Sequence, residues 1–185
     1  MRRKLTTSLL AVIFGTGLFF ALTPLPAYAS PFGQGVFGAD VPFGSATSIA
    51  IALGGDVTLP LTSDGTNFTG TGAHTVTVTS TDVVGYALYA HATTTTDLAN
   101  GTATIPASAN SSASALAVGT WGYNTNSSTT NFLGMPSGGV LIKQADGPYK
   151  NGDPTTVTYG AVAGPAQAAG SYSLAMTYTV VARNP

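Results

Sequence analysis

From residue 45 onward the chain alternates apolar and polar residues with a period of two, and helical periodicity is almost absent. Ile49, Ile51 and Leu53 alternate with alanine, and Val57, Leu59 and Leu61 keep the same odd phase after Gly54-Gly55. In HTVTVTS, Val76 and Val78 share one face with threonines opposite, and VGYALYAHA sets Tyr86, Leu88 and Ala90 together. TTVTYGAV repeats the pattern with Val157, Tyr159 and Ala161. The closing run aligns Tyr172, Leu174, Met176, Tyr178 and Val180 against Ser173, Ala175, Thr177 and Thr179. Valine, threonine and tyrosine suit a pleated surface that is buried on one side.

Between these runs lie turn clusters: TSDGTNFTGTG, TTTTDLANG, ASANSSAS, NTNSSTT, QADGPYKNGD and AGPAQAAG. Each supplies Gly, Asn, Asp or Pro for turn geometry. The pattern predicts an all-β fold, an antiparallel β-sandwich of the immunoglobulin-like, Greek-key type with about seven to ten short strands. A closed barrel is the alternative architecture. SASALAVG, from Ser112, allows a short helix or turn.

The first 29 residues break this pattern and set an expectation of compartment. Arg2, Arg3 and Lys4 precede an apolar stretch from Leu9 to Leu22, then Pro24 and Pro26, then Ala27-Tyr28-Ala29. That is the layout of a secretory signal peptide, with cleavage after Ala29. The chain then divides into residues 1–29, a Phe/Gly-rich extension over 30–44, and one sandwich domain over 45–185. The expected secreted form has 156 residues, enough for one core, and is extracellular and cell-surface associated.

Charge and cysteine content narrow the function classes. After residue 29, Lys143, Lys150 and Arg183 face seven aspartates and no glutamate, a net charge of −4. So few basic residues give no electrostatic footprint for nucleic acid. The absence of cysteine removes disulfides and thiolate chemistry. No catalytic motif is legible, and no cofactor, catalytic residue or metal site is expected. His74 and His91 read as strand residues. The loop from Asp146 to Asp153, DGPYKNGD, raises a calcium question but lacks the alternating acidic order and closing glutamate of a calcium loop. It reads as a hairpin turn. The N-x-S/T sites at Asn67, Asn100, Asn110 and Asn126 mark surface loops at most.

Two places carry candidate function. Thr120-Trp121-Gly122-Tyr123 holds the one tryptophan, and alternation puts Trp121 and Tyr123 on a shared face. A sandwich without disulfides calls for a bulky plug between its sheets, so a core role is favoured. The alternative is a glycan-stacking platform. The extension SPFGQGVFGADVPFG brings Phe32, Phe37 and Phe43 to what is usually a polar, mobile terminus. These rings must dock on their own sandwich or on the next subunit, as in strand addition between protomers.

The last strand, Tyr172-x3-Met176-x-Tyr178-x-Val180 with Pro185 at the end, is similar to the terminal motif of WxL-type cell-surface domains of Gram-positive bacteria. Gly85-Tyr86-Ala87-Leu88 resembles that family's G-W-x-L motif, and DLANGTATIPAS its small NG turn and following strand. The layout extends over residues 76–185. Tyr86 and Tyr178 stand where the family has tryptophan, and Val180 where it has leucine. The resemblance implies a sandwich attached non-covalently to peptidoglycan, with Tyr86 and Tyr178 structural. The residues themselves favour a non-catalytic structural protein that pairs with itself through residues 30–44 to form a fibre or layer. A wall- or carbohydrate-binding module is the alternative.

Overall fold

Alternation produces ten strands, β1 (Ser48–Leu53), β2 (Thr62–Ser63), β3 (Phe68–Thr81), β4 (Gly85–Ala92), β5 (Leu98–Asn100), β6 (Ala103–Ile105), β7 (Thr120–Asn124), β8 (Val140–Asp146), β9 (Asp153–Ala163) and β10 (Met176–Arg183). They belong to a computed structural model that describes residues 48–183. These all fall in one unit, Gly44–Pro185. The segments expected to be a signal peptide (1–29) and an extension (30–44), with Phe32, Phe37 and Phe43, lie outside the described residues.

Two antiparallel sheets pack face to face. One runs β1-β3-β9-β7, with β2 also on β3, and the other runs β10-β4-β8. The β5-β6 hairpin forms a small sheet of its own, turning at Gly101 with φ of 61° and burying Ile105 in the core. The fold is an all-β antiparallel sandwich. No described residue is helical, so the helix allowed from Ser112 is absent.

From β7 to β10 the chain changes sheet at every strand. The loop between Asp146 and Asp153 is therefore not a hairpin turn. It carries the chain from β8 in one sheet to β9 in the other. Tyr149 anchors it: its N–H and C=O bond to the Ser80 hydroxyl and N–H at 3.1 and 3.2 Å. Its ring meets Tyr86 edge-on at 5.9 Å.

The inner faces follow the alternation. Val76, Val78, Tyr86, Leu88, Ala90, Val157, Tyr159 and Ala161 are all buried in one cluster. The pattern understates β3, because the cluster TSDGTNFTGTG is a turn only as far as Asn67. The Asp64 carboxylate accepts the N–H groups of Thr66 and Asn67 at 2.9 and 2.7 Å, closing the turn. Gly70 and Gly72 then continue as strand. A Cβ on either would stand 2.5 or 2.4 Å from the carbonyl oxygen of Pro60 or Thr58, because residues 57–61 cross the sheet there. Val57 and Leu59 pack on the core from this crossing segment, which is not a strand. Leu61 stays exposed.

Candidate functional site

The tryptophan question resolves from geometry. β7 is paired along one side with β9, setting Trp121 opposite Ala161 and Tyr123 opposite Tyr159 on the inner face. Trp121 is 2% exposed and Tyr123 4%. The Trp121 indole N–H donates to the Thr96 carbonyl at 2.8 Å, and its ring leans on Tyr159 at 6.2 Å. A stacking platform needs an open ring face, and neither ring presents one. The outer face of the same strand is closed by the following loop. A Cβ on Gly122 or Gly160 would strike the Phe132 side chain, which lies over both. Asn110 holds that loop, donating to the carbonyls of Ser114, Ala115 and Phe132 at 3.1 to 3.2 Å. Beside it runs an open groove of about 580 Å³ lined by Pro60, Thr62, Thr69, Thr71, Leu116 and Thr130 among others, with no titratable group.

Polar side chains cross the sandwich in two clusters. In the first, Asp153 at the start of β9 accepts the Tyr86 hydroxyl at 2.6 Å and the Lys143 ammonium at 2.7 Å. Tyr86 and Lys143 belong to the opposite sheet, so one carboxylate ties β9 to both β4 and β8. Burial pushes the Asp153 carboxyl up, but Lys143 and Tyr86 outweigh it and hold it below the ordinary carboxylate value. Burial, then the bond to Asp153, pushes the Tyr86 phenol up.

Lys143 reaches this position through a β-bulge. Leu88 pairs with Lys143 but Tyr89 pairs with Leu141, so Ile142 is an extra residue. Strict alternation from Val140, which points inward opposite Ala90, would send Lys143 to solvent. The bulge resets the phase and turns it in. The sequence signal was the broken alternation of VLIKQAD, which also left β8 unread as a strand.

In the second cluster His74 on β3, Tyr159 on β9 and Tyr178 on β10 meet. His74 Nε2 lies 2.8 Å from the Tyr178 hydroxyl, and its Nδ1 lies 3.0 Å from the Gly55 carbonyl oxygen. The carbonyl can only accept, so Nδ1 carries the hydrogen and, in the neutral ring, Nε2 accepts from Tyr178. Tyr159 and Tyr178 share a short hydroxyl–hydroxyl bond, in which Tyr159 then donates. Burial first, then Tyr159, pushes the Tyr178 phenol far up, and burial raises Tyr159 as well. His91 faces the other way at the end of β4, opposite Thr177. Asp146 pairs with Arg183 at 2.5 Å. Both ends of the calcium-candidate loop are thus carboxylates engaged by cations, and no metal-holding group of His and Asp occurs among the described residues.

The sheet edges differ in how they are closed. The free side of β7 is covered: Trp121 bonds the backbone of Pro106 and Ser108, and Tyr123 that of Leu133. β8 carries the bulge and the inward-turned Lys143, both devices that spoil edge pairing. β1, SIAIAL, has no charge, proline or bulge and keeps an unbroken register with β3. Among the described residues it pairs with β3 alone, and β10 with β4 alone among the strands. β1 and β10 lie next to each other at this flank, on opposite sheets. Their inward side chains, Ile49, Ile51, Met176, Tyr178 and Val180, are only half-buried, and Leu53 is 53% exposed. One strand further in, Val76, Val78 and Leu88 are 0% exposed. Among the described residues, the core is least covered along the β1/β10 flank.

No protein-family model matches the chain, and no curated protein matches it.

Proposed function

We propose that this chain is a secreted, non-catalytic structural protein of a cell surface that assembles with copies of itself through residues 30–44. The observation that carries the reading is β1: among the described residues an unbulged, uncharged edge strand, on a molecule whose β7 and β8 edges are covered or spoiled. Proteins that stay single usually guard such an edge with charge, proline or a bulge. Charge is scarce here, at 7% of the chain, and none of it lies on β1. The two polar clusters fit a building block, since their hydrogen bonds run from sheet to sheet rather than toward a groove.

The alternative, attachment to peptidoglycan, retains the similarity of the Tyr86 and Tyr178 motifs as support. It loses Trp121 and Tyr123 as a sugar platform, because both rings are buried. The test is light-scattering chromatography with electron microscopy on residues 30–185 and on a chain starting at Ser45. Regular polymers from the longer chain and monomers from the shorter are expected. Monomers from both, with co-sedimentation on peptidoglycan, would replace assembly by wall binding.

A further inference from the structure

We infer that the open flank beside β1 is the acceptor for residues 37–43 of a second copy, added as a strand to the β1 edge with its apolar side turned into the core. The inference rests on the assembly reading and specifies where the extension goes. The segment Phe37-Gly38-Ala39-Asp40-Val41-Pro42-Phe43 alternates cleanly, with Phe37, Ala39, Val41 and Phe43 on one face and Gly38, Asp40 and Pro42 on the other. Seven residues at about 3.3 Å each span about 23 Å, close to the roughly 20 Å of a six-residue strand such as β1. Successive backbone groups of a strand point to opposite sides. Pairing through Phe37, Ala39, Val41 and Phe43 therefore leaves Pro42, which has no N–H, on the open side, where proline is tolerated. The half-buried Ile49 and Ile51 and the exposed Leu53 are the side chains such a strand would cover.

Within one copy, a hairpin looping over residues 44–47 would set Phe43 opposite Ser48, turn Asp40 and Pro42 into the core and leave the four apolar side chains outside. A loop one residue shorter, over 44–46, sets Pro42 opposite Ser48 and restores the apolar phase, so closure on the same copy is the outcome that the thiol pairs below separate from exchange between copies.

The chain contains no cysteine, so introduced thiols would be the sole ones. Asp40→Cys is placed in one tagged copy of residues 30–185 and Ala52→Cys in another, with Ala50→Cys as a second acceptor. Ala50 and Ala52 share the outer face of β1, opposite Thr79 and Thr77. Mixed under mild oxidation, the copies are expected to form a disulfide-linked hetero-dimer as the main product at one of the two acceptors, within polymers that persist. Polymers without either disulfide would overturn this inference and leave the assembly reading standing. A chain carrying both Asp40→Cys and Ala52→Cys that stays monomeric and closes the disulfide on itself would overturn both. Failure of the unmodified chain to polymerise would do the same.

Discussion

The two polar clusters solve one problem in opposite ways. Each must satisfy a tyrosine hydroxyl between two sheets, and each tyrosine, Tyr86 or Tyr178, comes from the β10-β4-β8 sheet. At Tyr86 the solution is ionic: a carboxylate, a phenol and an ammonium, with Lys143 brought in by a bulge. At Tyr178 it is a relay of two phenols and an imidazole ending on a backbone carbonyl. The ionic cluster ends on the β8 edge, where the bulge fixes Lys143, while the relay sits beside the β1/β10 flank. A carboxylate left unpaired inside costs more than a hydroxyl, so the ionic cluster can only be built where its partners are fixed. A relay of hydroxyls can reorient, which suits the side of the core where another strand would arrive.

The widest separation between the clusters is expected from pH. Tyr86, Tyr159 and Tyr178 all titrate above their ordinary value, so the native state keeps protons that the unfolded chain releases near pH 10. Their contribution is complete below about pH 10 and is lost as pH rises further, at about 1.4 kcal/mol per pH unit for each proton retained. The share of tyrosinate absorbance carried by Tyr86, Tyr159 and Tyr178, read as the difference from the matching Tyr→Phe variants, should appear together with loss of β-sheet circular dichroism. Phenolate from these three appearing while the sheet signal is intact would break the account. The acid limb belongs to the ionic cluster. The Asp153 carboxyl is depressed, so its contribution is present above about pH 4 and is lost as pH falls through its native value. Asp153→Asn should flatten the acid limb of a urea-midpoint profile, trim the Tyr86 part of the alkaline limb and leave the part carried by Tyr159 and Tyr178 in place.

Truncation sharpens the contrast at neutral pH. Asp153→Ala leaves the Lys143 ammonium and the Tyr86 hydroxyl without their partner and is expected to cost about 3 kcal/mol by urea denaturation. Tyr86→Phe should cost about 1.5 kcal/mol, because Asp153 keeps Lys143. Tyr178→Phe should cost about 1 kcal/mol, since half-buried His74 can turn to water and the Tyr159 hydroxyl alone loses its acceptor inside the core. Equal losses from the two phenol deletions would remove the distinction drawn here. His91→Ala, on the outer face, serves as the control, with a change within about 0.5 kcal/mol.

Much of the sandwich was legible because one face of each main strand is buried: Val76 and Val78, Tyr86 and Leu88, Val157 and Tyr159 mark that face in sequence. What was hidden has particular causes. β8 lost its alternation to the bulge at Ile142. The first half of β3 looked like a turn because Gly70 and Gly72 make room for a crossing segment that local pattern does not record. The change of sheet after Asp146 cannot be told from a hairpin by composition. Neither polar cluster was visible, since Tyr86 and Asp153 are 67 residues apart and His74 and Tyr178 are 104 apart. Nor was the open flank, which depends on which strands end the sheets. Trp121 was readable as a core residue from its phase with Tyr123, although its bond to Thr96 was not.

The measurement that bears most directly on the account is the assembly state of residues 30–185 beside the same chain carrying Phe37→Ser and Val41→Ser. Both substitutions leave the described sandwich untouched and remove apolar side chains from the segment assigned to the open flank. The account predicts polymers by light scattering and negative-stain microscopy for the unmodified chain, and folded monomers with an unchanged urea midpoint for the variant. Polymers of the same form and yield from both would contradict it.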